Sequence, residues 1–554
     1  MKRLAIVFTL LLLAILACTR PGPGTGALPA ATPPAAPLPD TPSARDTQEK
    51  PPISVTQSST LDMGQPWAAN LAVSNVNEQT VGPASFASST RLLLAWQAPE
   101  EGPDHYLIVV TKLGGMTALT ATAPGGDTSL QLDGLESSTS YEISLQACLN
   151  VDCSQSRRAS DSAVGVTAEE YWQLQGAGNG YDGATRVVEG GNNIAYVIVW
   201  GPEAGPELSG RAQLYYHPFP RQGAGYSVRT AVTDAPVSDL ASLSRFIPTE
   251  SGLQPVCDSH NAPETCPADS LFVATYQAVP LLDPPAVRLY FEAQPADAAQ
   301  QPGSVTRLYS LDSVDGYQGQ DFNPDPGSTV CGGRNSTDFS SGGNCEPRLE
   351  IGLQGDGEGG ESGLTQARQS KIGYPQRDSW LWDGAAETFI VITGADACGQ
   401  TQDGLFYALP GGAAWQVTKD AQGCARPLAL KAHGPVVVHL GEGRYKLYYE
   451  DSTNGHQDKP FRVIYADAAR SGDPDVVEFD DWETAAVLAR EVNFLWPDGS
   501  QLDAADESGL GDHMILVPGD DPDFQVMYMN LGGLDNSKNP GAAQGIGIAV
   551  LLNP

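Results

Sequence analysis

The chain has 554 residues, with 31 basic against 66 acidic side chains and a net charge of −35. Phosphate backbones are gripped by basic surfaces, so this balance argues against a nucleic-acid partner and fits an acidic, well-solvated exterior. With 60 glycines, 43 prolines and almost no long helical periodicity, the sequence reads as an all-β chain rich in turns.

Residues 1–18, MKRLAIVFTLLLLAILAC, begin with Lys2 and Arg3 and run apolar from Leu4 to Ala17. A run of about 14 residues is short for a membrane span, which needs ~20, and fits the core of a secretory signal. Its end, Ile15-Leu16-Ala17-Cys18, resembles the lipobox of bacterial lipoproteins. That resemblance implies a lipidated Cys18 as the mature N-terminus. Thr19 in place of Asp would favour the outer membrane or cell surface in a Gram-negative cell. The alternative is an ordinary secretory signal with an incidental cysteine.

Residues 19–62 are rich in Pro, Ala, Thr and Ser, with too few apolar side chains to offset the entropy of ordering. They are expected to be a disordered tether. Of nine cysteines, setting Cys18 aside leaves eight in neighbouring pairs: Cys148/Cys153, Cys257/Cys266, Cys331/Cys345 and Cys398/Cys424. An even set in an exported chain reads as disulfides, although spacing alone does not fix their connectivity. No Cys-x-x-Cys or His-x-x-x-His motif occurs, so no zinc site is expected, and nothing in the sequence calls for a cofactor.

Residues 63–168 carry strand-like runs separated by turns: RLLLAW from Arg91, HYLIVVT from His105, SLQL from Ser129 and SYEISLQA from Ser140. With Trp96 followed by Pro99 and with LDGLESSTSYEISLQACLN at 132–150, the segment resembles a fibronectin type III domain. The resemblance implies a sandwich with Trp96 in its core and a corner built by Leu135 and Tyr141. Such domains are spacers or adhesive modules and name no activity.

Residues 169–554 contain a degenerate repeat. Copies open near Asp182, Asp269, Asp378, His433 and Asp512, each with a short apolar strand, a turn and a second strand. Third strands follow at AQLYYHP, TRLYSLD, GLFYALP, FRVIYAD and GIAVLL. Five antiparallel meanders predict a five-bladed β-propeller, with a sandwich or solenoid as the alternative. YKLYYED, ending at Glu450 and Asp451, falls on the second strand of the fourth copy, which predicts acids at a strand end near a rim. The acidic loop around Gly355, Gly357 and Gly360 is no dinucleotide fingerprint, since Asp356, Glu358 and Glu361 would repel phosphate. It could hold calcium weakly.

The segment distantly resembles the five-bladed furanosidase-type glycosidases. That resemblance implies an Asp base, for which Asp182 is the match, and a second Asp, for which Asp378 is the candidate. Gly183 stands where the family usually has Pro, and the Glu acid is not assigned, Glu350 and Glu387 being candidates. Asp269 and Asp512 would join them around an axial pocket. Trp380 and Trp382, alternating beside Asp378, are candidate sugar platforms. Trp172, Trp200, Trp415, Trp482 and Trp496 could stack on sugars or pack between blades. The sequence thus leads to a monomeric, lipid-anchored surface protein that binds or processes a polysaccharide. The alternative is a non-catalytic scaffold for a surface protein.

Overall fold

The computed structural model describes residues 62–63, 66–175 and 186–554, with interruptions; residues 1–61, 176–185, 251–270, 321–348, 353–363, 374–388 and several shorter loops lie outside the description. The signal sequence, Cys18 and residues 19–61 of the tether are therefore outside it. The chain divides at Ser54, and everything described belongs to one compact unit. Among the described residues no helix is long and apolar enough to cross a membrane.

The first part is a sandwich. Its strands are β1 (Asp62–Met63), β2 (Ala72–Val81), β3 (Ala84–Ala95), β4 (His105–Lys112), β5 (Ala118–Pro124), β6 (Ser129–Leu132), β7 (Ser140–Cys148) and β8 (Gln155–Val166). One sheet has the order β2-β3-β6 and the other β1-β8-β7-β4-β5. Strict alternation buries Tyr106, Ile108 and Val110 of β4 and Tyr141, Ile143 and Leu145 of β7 against Leu92 and Leu94 of β3. Trp96 lies in this core, edge-on to Tyr106 at 5.1 Å. The sheets approach so closely at Gly165 that a Cβ there would come within 2.7 Å of both Val73 and Leu92. The Tyr141 hydroxyl accepts the Glu136 N–H at 2.8 Å, with Leu135 buried beside it, which is the expected corner.

The second part begins with β9 (Glu170–Leu174) and β10 (Arg186–Glu189) and continues as meanders. The first contains β11 (Gly191–Val199), β12 (Ala212–Pro218), β13 (Arg229–Thr233) and β14 (Phe246–Thr249). The second contains β15 (Leu271–Leu281), β16 (Ala286–Pro295), β17 (Val305–Asp312) and β18 (Leu349–Gly352). The third contains β19 (Leu364–Gly373), β20 (Phe389–Asp396), β21 (Gly404–Gly411) and β22 (Ala414–Val417), with β23 (Ala429–Leu430) also on β21. Each forms its own antiparallel sheet in chain order.

The rest is joined differently. It comprises β24 (Ala432–Gly441), β25 (Arg444–Asp451), β26 (Phe461–Asp467), the short pair β27 (Ala469–Arg470) and β28 (Val477–Glu478), β29 (Arg490–Leu495), β30 (Gly511–Leu516), β31 (Val526–Asn530) and β32 (Gly545–Leu551). One continuous sheet runs β24-β25-β26-β29-β9-β32-β31-β30, because β9 pairs parallel with β29 and antiparallel with β32. An early strand is therefore enclosed by two late ones.

The first strands of the five meanders neighbour one another in cyclic order: β11 beside β15, β15 beside β19, β19 beside β24, β24 beside β30, and β30 beside β11. Apolar cores lie between successive meanders, one joining the second and third and another the third and fourth. A third core unites the first meander with the long sheet, where Phe246 packs edge-on to Tyr528 at 6.0 Å. Middle strands are thus covered on both faces, as in β20, where all eight residues are buried. This explains why FIVITG reads as an uninterrupted apolar run.

Candidate functional site

The sequence placed chemistry at Asp182, Asp269 and Asp378, with Trp380 and Trp382. All five lie outside the described residues. Asp378 and both tryptophans fall in the connection between β19 and β20, so the third copy starts at Leu364 and not at Asp378 as the repeat had suggested. AQLYYHP is likewise a second strand, β12, because RVVE pairs with β32 and not with β11. Asp512 lies in β30, a first strand as expected. Trp172 and Trp496 are core residues, 0% and 8% exposed, which leaves neither face free for a sugar. Two of the four expected disulfides are described, Cys148–Cys153 and Cys398–Cys424. Cys257, Cys266, Cys331 and Cys345 lie outside the described residues, as do Glu387 and the acidic loop from Gly355 to Glu361.

YKLYYED is the core of β25, the second strand of the fourth meander. Alternation turns Tyr445, Leu447 and Tyr449 toward the third meander, where Tyr445 meets Phe389 edge-on at 4.9 Å. Lys446 and Tyr448 face the opposite way. Glu450 and Asp451 end β25, as expected, and each is only 7% exposed. Glu450 lies 3.3 Å from His433 Nδ1, its partner across the β24–β25 ladder. Asp451 accepts from Arg462, whose guanidinium also reaches Glu491 at 3.2 Å. Both carboxylates are thus held by cross-strand partners.

The most completely built polar cluster lies where the sandwich meets the second part. Its centre is Glu170 of β9, fully buried. Glu170 Oε2 accepts from the Tyr448 hydroxyl at 2.8 Å and from the Trp172 indole at 3.2 Å. Oε1 is paired with Lys446 and lies 3.2 Å from the Tyr465 hydroxyl. Lys446 sits over the Tyr448 and Tyr465 rings, 4.7 and 5.5 Å from their centroids. Burial pulls the Lys446 ammonium below its ordinary range, and the Glu170 carboxylate opposes that pull. Burial, then the Glu170 charge, pushes the Tyr448 and Tyr465 phenols well up.

The corner of the sandwich supplies the other half. The Tyr465 hydroxyl accepts the Ser137 N–H at 3.1 Å. Arg490 of β29 donates to Glu136 Oε2 at 2.7 Å and to Thr139 Oγ1 at 3.0 Å, and stacks 5.0 Å from the Tyr465 centroid. Lys112 reaches the same Glu136 oxygen at 2.7 Å. Asn553 adds a second tie. Its amide donates to Ala87 O and Glu169 O and accepts the Tyr171 N–H, while its backbone carbonyl takes the Ser89 N–H at 2.8 Å. Every charge here has an opposite partner and directional hydrogen bonds, an arrangement that fixes position and leaves no group free for acid–base chemistry.

None of Glu136, Glu170, Lys446 and Arg490 was singled out from the sequence. One signal was present: Lys446 interrupts an apolar strand whose neighbours on both sides are core residues. A lysine there requires a buried counter-charge.

Comparison with known proteins bears on the sandwich. Residues 82–160 match the fibronectin type III family, and these residues form a fibronectin type III domain. The region is similar to the fibronectin type III domain of human collagen XX, at 20% identity over 20% of this chain and 99% of that one, with a TM-score of 0.16. It is also similar to the FN5 domain of Drosophila Lar, at 19% identity over 19% of this chain and 97% of that one, with a TM-score of 0.14. No curated protein matches the chain.

Proposed function

We propose that this protein is a non-catalytic binding scaffold of the cell surface. In this reading Cys18 carries a lipid anchor and residues 19–61 form the tether. The fibronectin type III domain and a five-bladed propeller form one rigid head that presents its outer surface to a protein or polysaccharide partner. The cyclic adjacency of the five first strands supports the propeller, with its fourth and fifth blades merged through β29 and β9. Loops at the two ends of such a ring offer broad, rigid surfaces.

The observation that carries the reading is the buried junction of Glu136, Glu170, Lys446, Tyr465 and Arg490. A spacer on a flexible joint would not need a desolvated ion-pair network, whereas a head that must hold one orientation gains a fixed geometry from it. The alternative enzyme reading rests on Asp182 and Asp378. The test incubates the full chain with arabinan, xylan and related polysaccharides beside Asp182→Asn and Asp378→Asn. The scaffold reading expects no reducing sugar from any of the three. Sugar released by the parent and lost in either variant would make the protein a glycosidase. Palmitate labelling of the parent but not of Cys18→Ser would support the anchor, and equal labelling would remove it.

A further inference from the structure

We propose that the Cys148–Cys153 bridge at one end of the sandwich is a redox-gated metal site. Once a low-molecular-weight thiol has reduced it, the two thiolates and the His105 imidazole bind one zinc ion. This goes beyond the scaffold reading and does not depend on it.

The three side chains already share one place. His105 opens β4 and is the direct ladder partner of Cys148, the last residue of β7. Directly opposed residues lie on the same face of a sheet, here the outer one, since Tyr106 and Ala147 point into the core. Cys153 reaches the same spot from the β7–β8 turn. The ligand atoms of all three lie within 4.8 Å of one another. Zinc bonds of ~2.3 Å to sulfur and ~2.0 Å to nitrogen, at tetrahedral angles, set ligand atoms roughly 3.5–3.8 Å apart. A short parting of the sulfurs after the bridge opens is therefore enough. Cys148-x-x-x-x-Cys153 also falls within the usual zinc spacing of about two to four intervening residues. Its third ligand comes from another strand, so no local motif announces it.

The surrounding groups suit a metal. Asp104 Oδ2 lies 2.9 Å from His105 Nδ1, the carboxylate–imidazole pairing that orients metal-bound histidines and leaves Nε2 as the ligand. Gln146 Nε2 donates to Cys153 Sγ at 3.6 Å and to Ser156 Oγ at 2.7 Å. An N–H aimed at sulfur favours the thiolate over the thiol. Cys148 is fully buried while His105 and Cys153 are half-buried, which leaves a side for entry. Two thiolates with one imidazole select zinc over calcium or magnesium, and three protein ligands leave a fourth position for water.

Backbone bonds keep the ligands together with the bridge open. Asp104 N donates to Cys148 O at 2.8 Å, Leu149 N to Gln155 O at 2.8 Å and Cys153 N to Asn150 O at 3.0 Å. Asn150 Oδ1 accepts the Gln155 N–H at 3.1 Å. None of these ties runs through sulfur. Reduction consumes two small thiols and yields two cysteine thiols and one small disulfide; zinc binding then releases two protons. In oxidising surroundings the bridge closes and the site is lost.

The test titrates cobalt(II), whose tetrahedral thiolate complexes absorb strongly in the visible, into the full chain in detergent, before and after anaerobic reduction with a phosphine. Reduction opens the other bridges too, so the readout is the difference between variants. The reduced parent is expected to take up one equivalent more than Cys148→Ser with Cys153→Ser, and zinc is expected to displace it. In His105→Ala the affinity for that equivalent is expected to fall at least about tenfold. His105→Ala keeps both cysteines, so it stays informative if the double variant misfolds. Equal uptake by the reduced parent and the double variant overturns the proposal. So does an affinity within about twofold of the parent in His105→Ala, or the same equivalent bound before reduction. Polysaccharide hydrolysis tests the scaffold reading separately, so the two can fail independently.

Discussion

Replacing Glu170 with Gln keeps the volume and shape of the side chain and removes its charge. Lys446, 2% exposed, would then be a buried ammonium without its counter-ion. Two lines of arithmetic agree on the cost. Breaking one half of a buried ion pair typically costs about 3–5 kcal/mol. The lysine can also escape by losing its proton, which from an ordinary value of about 10.4 costs about 4.6 kcal/mol at pH 7 and caps the loss. The second route carries a signature. Its cost falls by about 1.4 kcal/mol for each pH unit, so the deficit of Glu170→Gln shrinks as pH rises toward 10. Lys446→Met added to Glu170→Gln removes the stranded charge and is expected to return stability to within about 1 kcal/mol of the parent. Urea unfolding followed by tryptophan emission gives the midpoints, with Trp172 beside the pair. The reasoning is refuted if Glu170→Gln costs less than about 1 kcal/mol at pH 7, or if the double variant is no more stable than the single one.

Three further outcomes are expected. Burial, followed by neighbouring carboxylates, holds the Tyr215, Tyr448 and Tyr465 phenols well above their ordinary value. The unfolded chain therefore releases these protons first above about pH 10, and stability falls by about 1.4 kcal/mol per pH unit per tyrosine, being complete only below that pH. Lys446, held low, contributes the opposite slope, which ends near its unfolded value of about 10.5; a flat urea midpoint between about pH 9 and 11 would contradict the burial of these groups. Gly319→Ala forces a side chain into the left-handed region and onto Tyr215, and is expected to cost at least about 1–3 kcal/mol by thermal or urea unfolding, with an unchanged midpoint counting against the close approach. Cys398→Ser with Cys424→Ser opens a bridge of sequence separation 26, for which loop entropy gives a loss of about 3.5 kcal/mol, measurable against the parent under non-reducing conditions.

Local rules carried much of the architecture. Period-2 alternation in HYLIVVT and SYEISLQA determined which residues face the sandwich core, and the resemblance to fibronectin type III domains implied the corner at Leu135 and Tyr141. Apolar strands separated by Gly, Asp and Pro turns determined a succession of meanders. The same pattern located β25 as a second strand, because hairpin pairing depends on near neighbours in the chain. Boundaries were less secure: the third meander opens with LTQARQSKIG, whose polar residues hid a strand, and the stronger apolar run FIVITG took its place.

What alternation along one strand could not give was the identity of residues far away in sequence. Glu170 and Lys446 are separated by about half the chain, and only the insertion of β9 between β29 and β32 brings them together. The pattern placed Glu450 and Asp451 at a strand end but not their partners, His433 and Arg462, which β24 and β26 bring against them. The sequence by itself determined the β class and the meanders, since these depend on contacts between residues close in the chain, and its resemblance to fibronectin type III domains supplied the sandwich. Only the tertiary structure decided the junction and the merged sheet. Each of those depends on long-range closure, whose cost in loop entropy is met by burial that no single segment records.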